Sequence, residues 1–167
     1  ESLFGMKGMG FMQIINTALD NGRFSVGCGS LGIAKACLEE SIQYAKTRKQ
    51  GGVNIGDHQL IKQKITKMIV NVKAAKLLCE NAAALRDAKS PNAIIQTSLA
   101  KYFASKAATE NSTEAVQLHG AIGCFDGISI QRYFRDARVM EIIEGSSEIQ
   151  QILIADHGMS SLSSIID

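Results

Sequence analysis

Hydrophobic residues recur at helical spacing along most of this chain. The clearest stripe has intervals of three and four residues, which place its members on one face of a helix. It consists of Ile61, Ile65, Met68, Val72, Ala75 and Cys79. Lysines occupy much of the remaining surface of that segment. The pattern predicts a long amphipathic helix that follows an N-cap at Asp57 and ends near Ala88.

Four more helices are predicted by the same spacing and by helix start and stop signals. Ser90 and Pro91 are typical of a helix start, and the glycines between His119 and Gly123 predict a stop. The segment 47–57 contains three glycines and is predicted to be a loop, and no strand-turn-strand pattern is present. The further helices are expected at 11–46, 91–118, 129–139 and 146–155.

These elements predict an all-α protein, an up-down helical bundle. The bundle is expected over residues 11–157. Residues 1–10 hold three glycines and are predicted to be a loop or the remnant of a strand. Residues 158–167 are predicted to be a flexible tail.

Composition supports helices and excludes several functional classes. The chain contains one proline, a residue that breaks helix interiors, and is 46% hydrophobic with a net charge of only +2. No basic block indicates nucleic-acid binding, and no apolar run approaches the roughly 20 residues of a membrane span. No secretory signal is recognisable. Scattered cysteines favour free thiols over disulfides or zinc. We therefore expect a cytoplasmic protein, or one of the mitochondrial matrix in a eukaryote.

The candidate for chemistry is Glu144. It follows the apolar residues Ile142 and Ile143 and precedes Gly145, which permits close approach of a substrate to the backbone. A carboxylate among apolar neighbours is disfavoured in its charged form, and this increases its basicity. The residues alone favour a simpler interpretation, in which Glu144 ends one helix and Ser146, Ser147 and Glu148 form the cap of the next.

The segment from Tyr133 to Ala155 resembles the signature of the acyl-CoA dehydrogenase family. That signature has an aspartate-alanine pair, an apolar run and then Glu-Gly-Thr/Ser, which correspond here to 136–137 and 144–146. The resemblance implies the fold of the family's C-terminal helical domain. It also implies that Glu144 is the catalytic base, which removes the α-proton of an acyl thioester while hydride leaves the β-carbon for FAD.

Other segments match the family in order and spacing. The arginine of RKQGG resembles the first residue of the family's Arg-x-x-Phe-Gly, and QLHGA resembles Gln-x-x-Gly-Gly, which holds the FAD of a neighbouring subunit. The resemblance implies that the following residues contact FAD: Arg48, Gln59, Gln117, Leu118, His119, Gly120, Ala121, Ser146, Ser147 and Glu148. It implies a place near substrate for Asp20, Arg23 and Gly145. For Arg48 and Gln59, ordinary surface roles remain alternatives.

The chain departs from the family pattern at three positions. Gly51 stands where Arg-x-x-Phe-Gly has its aromatic residue, so packing against FAD is expected to differ there. Ala121 replaces the second glycine of the flavin-facing segment. Gly22 occupies the position at which some family members carry their base. No carboxylate is available there, which favours Glu144.

The resemblance implies an FAD-dependent oxidoreductase that converts acyl-CoA to 2,3-enoyl-CoA. It further implies an electron-transfer flavoprotein as partner and a homo-oligomer, a dimer or tetramer. The family also has an N-terminal helical domain and a middle β-domain, so the resemblance implies that residues 1–10 are the remnant of that preceding β-domain or a linker. This domain is therefore expected to be inactive alone. Three alternatives stay open: a dehydrogenase acting on acyl-carrier-protein thioesters, an acyl-CoA oxidase, and a non-catalytic oligomerisation module.

Overall fold

The structure, a computed structural model, describes residues 6–161 and consists mainly of five helices. A single π-helical turn, Phe11–Ile15, leads into α1. A short hairpin joins α1 to α2, and 3-10 turns at Ile55–Asp57 and Gly120–Cys124 precede α2 and follow α3. The elements are α1 (Asn16–Thr47), β1 (Lys49–Gln50), β2 (Val53–Asn54), α2 (Gln59–Asp87), α3 (Ala93–His119), α4 (Ile130–Ile142) and α5 (Ser147–Ser160).

The predicted all-α, up-down bundle is confirmed. Helix α2 runs antiparallel to α1, since Arg86 near its end pairs with Asp20 near the start of α1. It also runs antiparallel to α3, as the Lys64–Glu114 pair shows. Consequently α1 and α3 are parallel, and the side chain of Asn111 on α3 reaches the carbonyl of Ala34 on α1.

Helix α3 lies at the centre of the molecule and contacts α1, α2, α4 and α5. Its sequence explains this position, because small side chains let neighbouring helices approach from several sides. Alanines of this helix belong to three separate clusters of the core. The fully or nearly fully buried alanines of α3 are Ala100, Ala104, Ala107, Ala108 and Ala115.

A buried asparagine connects the three long helices. The Asn111 amide nitrogen donates to the carbonyl oxygens of Ala34 and Met68, each at 3.2 Å. Its Oδ1 accepts a hydrogen bond of 3.0 Å from Asn71. Because Asn111 is completely buried, these bonds replace the water that its amide would otherwise require.

Two predictions about the α1–α2 connection are wrong. The segment forms a two-stranded antiparallel hairpin, in which Lys49 pairs with Asn54 and Gln50 with Val53. Gly51 and Gly52 both have positive φ, at 63° and 85°, as a tight hairpin turn requires. The N-cap of α2 is His58 rather than Asp57, which instead belongs to the preceding 3-10 turn.

The other helix ends agree with the predictions to within a few residues, with two differences. Helix α3 begins at Ala93, two residues beyond Pro91, and the Ser90 hydroxyl accepts a hydrogen bond from the Asn92 amide in the turn before it. Helix α5 continues to Ser160 rather than ending near Ala155. A single glycine such as Gly158 weakens a helix by about 1 kcal/mol without necessarily ending it. Most of the predicted segments 1–10 and 158–167, namely 1–5 and 162–167, lies outside the described residues.

We expect Asn111→Ala to lower the free energy of unfolding by about 2 kcal/mol, since it removes buried hydrogen bonds and leaves a cavity. Urea denaturation of this chain measures the change. Thr113→Ala is a suitable control, since Thr113 is exposed two residues along the same helix and bonds only to the carbonyl of Thr109. Equal stability of the Asn111→Ala and Thr113→Ala chains would contradict the proposed role of the buried amide.

Candidate functional site: a left-handed turn and a distant cavity

Residues 143–146, here called the Glu144 turn, connect α4 to α5. Ile143 leaves the helix with ψ of 158°. Glu144 and Gly145 then have positive φ values of 55° and 93°. A left-handed conformation is ordinary for glycine but unfavourable for glutamate. The predicted break between the helices is therefore confirmed, and it holds the backbone of Glu144 in a strained conformation.

Three side chains from three helices hold the backbone carbonyls of this turn. The Lys101 ammonium of α3 donates to the Gly145 oxygen at 2.8 Å. The Arg23 Nε of α1 donates to the Glu144 oxygen at 3.3 Å. The Gln150 amide of α5 donates to the oxygens of Glu144 and Gly145 at 3.4 and 3.3 Å. The turn is thus fixed by contacts from outside its own segment.

The carboxylate of Glu144 lies against bare helix backbone at Gly22. A Cβ atom built on Gly22 would collide with the Glu144 carboxylate and come within 2.9 Å of its Cγ. The glycine is thus what leaves space for this side chain beside α1. Glu144 itself is partly buried.

The expected apolar surroundings of Glu144 are not supplied by its neighbours in sequence. Ile142 and Ile143 have exposed fractions of 56% and 40% and lie on the surface of this chain. The reason is that α4 ends at Ile142, so Ile143 and Glu144 no longer follow the helical path that would give neighbouring residues a shared face. Gly22 and Arg23 are the residues that approach the Glu144 turn from α1.

Lys101 is completely buried, which is rare for a lysine. It also donates to the carbonyl of Glu141 in the last turn of α4, at 3.3 Å. A cation at this position satisfies a helix-end carbonyl and opposes the negative end of the helix dipole. Burial lowers the pKa of Lys101, while the nearby carboxylates, first among them Glu141, act in the opposite direction.

The Ser146–Glu148 segment begins α5 on the other side of the turn. Ser146 occupies the N-cap position, but its side chain makes no capping bond to a backbone amide. Hydrogen bonding from Ser146 instead lowers the pKa of Glu148. The Ser147 hydroxyl donates to the buried carboxylate of Glu141 at 3.3 Å. The predicted capping role of these serines is therefore replaced by side-chain contacts.

Asp20 lies one turn before Arg23 on α1. Its Oδ2 pairs with Arg86 of α2, which also donates to the side chain of Asn21. Its Oδ1 is buried, and no hydrogen-bond partner is present for it within residues 6–161. The structure therefore assigns Asp20 a structural partner and leaves one of its two oxygens unsatisfied.

Six of the predicted cofactor contacts line one cavity, here called the Arg48 cavity. It has a volume of about 530 Å³ at the C-terminal end of α3. Gly120 has a φ of 66°, which ends α3, and a side chain there would meet no atom within 4 Å. The cavity therefore opens directly on backbone. The predicted residues that line it are Arg48, Gln117, Leu118, His119, Gly120 and Ala121.

His119 and Gln59 differ in their surroundings. The His119 ring stacks on Tyr44 with centroids 4.3 Å apart, and its Nδ1 lies 2.8 Å from the Ala115 oxygen. These contacts hold the His119 ring in place, so it lines the cavity and is not positioned as a mobile acid or base. Gln59 is exposed at the start of α2 and is not among the residues that line the cavity.

The Glu144 turn and the Arg48 cavity lie at well-separated positions along α3. Lys101 contacts the turn and His119 lines the cavity, and an α-helix places these two residues about 27 Å apart along its axis. The predicted site residues therefore form two groups, one with Glu144 and 145–148, the other with Arg48 and 117–121.

Lys101 and Gln150 are the functional candidates that sequence reasoning missed. Lys101 lies in an alanine-rich segment where a lysine is typical of a solvent-facing position, and Gln150 lies in a short helix with few clear signals. The role of Lys101 depends on a contact with a segment more than 40 residues away along the chain. The role of Gln150 depends on a contact about five residues away.

Two functional classes can be examined directly in the described part of the chain. Within residues 6–161, none of the helices combines the length and apolar character that crossing a bilayer requires. Among the same residues, no three His, Cys, Asp or Glu side chains come close enough together to hold a metal ion.

Comparison with known proteins identifies relatives over nearly the whole chain. The family described as acyl-CoA dehydrogenase, C-terminal domain, matches residues 8–159. The chain is 43% identical over 155 residues to the caffeyl-CoA reductase-Etf complex subunit CarC of Acetobacterium woodii, covering 93% of this chain and 40% of that protein. It is 40% identical over 161 residues to the mitochondrial short-chain specific acyl-CoA dehydrogenase of Mus musculus, covering 96% of this chain and 39% of that protein.

The fold agrees with a solved structure. Butyryl-CoA dehydrogenase from Megasphaera elsdenii superimposes with a TM-score of 0.89 and 34% sequence identity, over 93% of this chain and 40% of that one. The chain thus spans about two fifths of the length of these relatives. From the family match and the shared fold, the chain belongs to the acyl-CoA dehydrogenase family and corresponds to its C-terminal helical domain.

Proposed function

We propose that this chain supplies the catalytic base and part of the FAD site of a flavin-dependent acyl-thioester α,β-dehydrogenase. The observation that carries the proposal is the geometry of Glu144. Its carboxylate is presented on a left-handed turn against Gly22, with the turn's carbonyls held by Arg23, Lys101 and Gln150. Such fixed presentation is what a general base requires, because proton transfer demands a defined distance and direction.

In the proposed reaction, the Glu144 carboxylate removes the proton from the α-carbon of a bound acyl thioester. FAD supplies the acceptor for the hydride that leaves the β-carbon, so the product is the 2,3-enoyl thioester. The α C–H bond gives up a proton and the β C–H bond gives up a hydride. The electron pair left on the α-carbon forms the new carbon–carbon double bond. In the reverse direction, the protonated carboxyl group of Glu144 would return its proton to the α-carbon, which is the direction of a reductase, the activity named for the relative from Acetobacterium woodii.

The Arg48 cavity fits the polar part of FAD. Arg48 offers a planar cation with several donors, which is suited to a diphosphate. Gln117 offers an amide that both donates and accepts hydrogen bonds, and the open backbone at Gly120 permits close approach. We therefore propose that Arg48 and 117–121 hold FAD, that Gln59 contributes at its edge, and that Ser146, Ser147 and Glu148 contact FAD near Glu144.

The separation of the two groups of contacts supports an oligomer. Since they lie about 27 Å apart along α3, we propose that the Arg48 cavity serves the FAD of a neighbouring subunit, as the family resemblance implies. Exposed apolar residues on α2 and α5 provide surfaces that further protein covers in a dimer or tetramer. They include Leu60, Val70, Leu77, Ile149 and Ile152.

The substrate side of the proposal involves Arg23, Asp20 and Gly145. Arg23 is a partly buried cation beside Glu144, suited to the anionic part of coenzyme A. Asp20 has one unsatisfied buried oxygen, which supports a contact with substrate or with another part of the protein. Gly145 allows the thioester to approach the backbone of the turn.

The carrier and the electron acceptor define the remaining alternatives. Parallel assays of butyryl-CoA and butyryl-acyl-carrier-protein would show which carrier is used. Oxygen consumption without a protein acceptor would identify an oxidase, whereas we propose an electron-transfer flavoprotein, in keeping with the Etf complex named for one relative. Multimers that bind no flavin would support a pure oligomerisation module. The four free cysteines agree with a reducing location such as the cytoplasm or mitochondrial matrix.

We expect Glu144→Gln in the full-length flavoprotein to slow flavin reduction by butyryl-CoA by about 10²- to 10⁴-fold, because the amide cannot accept the proton. KM should change little, since the amide keeps the shape of the side chain. Rapid mixing with detection of flavin absorbance measures the rate. Glu39→Gln, at an exposed glutamate on α1, should react like the wild type. If Glu144→Gln retained most of the activity, the assignment of the base would be wrong.

We expect Arg48→Leu to weaken FAD binding by about tenfold or more, because a hydrogen-bonded charge is lost. Titration of the flavin-free full-length protein with FAD, followed by fluorescence, measures the affinity. The matched control is Arg132→Leu on α4, where an exposed arginine lies over the ring of Tyr133 and does not line the Arg48 cavity. Unchanged affinity in Arg48→Leu would remove the Arg48 cavity from the proposed FAD site.

A further inference from the structure

Lys101 links the centre of the bundle to the Glu144 turn. Its side chain has an exposed fraction of 0%. Its ammonium group donates to the carbonyl oxygens of Gly145 at 2.8 Å and Glu141 at 3.3 Å. One acceptor belongs to the end of α4 and the other to the turn itself. A single group of α3 therefore bridges the last turn of α4 and the residue that follows Glu144.

A buried ammonium group contributes little to the stability of a fold. Removing a cation from water is unfavourable, and an apolar side chain of similar size often gives equal or greater stability. Burial accordingly lowers the pKa of Lys101, and the neighbouring charge of Arg23 adds to that effect. Packing alone does not explain why α3 carries a cation here, so its hydrogen bonds provide the better explanation.

The turn that Lys101 contacts requires external support. Glu144 has a φ of 55°, a conformation that a glutamate adopts unfavourably in the absence of other constraints. A relaxed backbone would rotate the carboxylate away from Gly22, against which it lies. Lys101 and Gln150 both donate to the Gly145 carbonyl, and Lys101 precedes the turn in the sequence whereas Gln150 follows it. Together they hold the peptide group that joins Gly145 to Ser146.

We propose that Lys101 is a positioning residue for Glu144: its buried ammonium, assisted by Gln150, fixes the Gly145 carbonyl and thereby the left-handed turn that directs the Glu144 carboxylate across Gly22. This inference rests on the proposed role of Glu144 as the base. It adds a residue that never touches substrate or flavin and acts only through the backbone of the turn.

The first test is local and needs neither flavin nor substrate. In Lys101→Met, amide hydrogen exchange of residues 143–147, measured by mass spectrometry on this chain, should accelerate about tenfold or more, while exchange in α1 and α2 remains unchanged. Ser105→Ala is the matched control. Ser105 is fully buried one turn further along α3 and bonds to the carbonyl of Tyr102 within its own helix. It should leave exchange in the turn unchanged.

The second test separates positioning from binding in the holoenzyme. We expect Lys101→Met to lower kcat for butyryl-CoA by about 10- to 100-fold, because a small misplacement of a catalytic group has effects of that size. KM should change less than about threefold, since Lys101 has no substrate contact in the proposal. The Ser105→Ala holoenzyme should retain the wild-type kcat. Gln150→Leu should change kcat and local exchange in the same direction as Lys101→Met, by roughly three- to tenfold.

The outcomes are distinct. Faster exchange throughout the chain, or unchanged exchange at 143–147, would show that Lys101 is a general structural residue and would overturn the inference. If Lys101→Met does not fold, Gln150→Leu decides: unchanged exchange and unchanged kcat in that variant overturn the inference as well. Glu144→Gln tests the proposed function separately, since its result does not depend on Lys101. If the Glu144→Gln enzyme stayed active, Glu144 would not be the base. If exchange in the Glu144 turn still accelerated in Lys101→Met, the structural contact of Lys101 with the turn would nevertheless stand.

Discussion

The site depends on hydrogen bonds to the backbone carbonyls of Glu144 and Gly145. Donors reach these two oxygens from α1, α3 and α5, so the conformation of one peptide segment is set by three helices at once. A short loop has too few contacts of its own to maintain a left-handed glutamate. The bundle therefore contributes to the chemistry by supplying donors at fixed positions, and two of them, Lys101 and Gln150, are completely buried.

The central position of α3 makes this arrangement possible. Its alanines allow α1 and α2 to approach closely, and the polar groups of the same helix then lie within reach of neighbouring backbone. Lys101 and Asn111 are the two clearest cases, one serving the Glu144 turn and the other tying the long helices together. In both, a polar side chain in the interior is satisfied by carbonyls of other helices, as buried polar groups must be.

The sequence predicted the features that depend on local pattern. Helix positions follow from apolar spacing and from breaks at glycines, and the break at Glu144 follows from Gly145 beside it. The hairpin was missed because strands of two residues leave no alternation to detect, and only the Gly51–Gly52 pair marks the turn. The exposure of Ile142, the pairing of Asp20 with Arg86 and the burial of Lys101 all depend on distant segments. No periodicity in the sequence encodes which segments meet.

The rigidity of α3 has a consequence for how this domain can diverge. One uninterrupted helix carries both Lys101, which contacts the Glu144 turn, and His119, which lines the Arg48 cavity. Insertion or deletion of a single residue between them would rotate one end relative to the other by about 100° and displace it by about 1.5 Å. A point substitution between 101 and 119 therefore leaves the relative position of the two sites unchanged, whereas a change in helix length alters it. The length of the span from 101 to 119 therefore sets the spacing between the Glu144 turn and the Arg48 cavity.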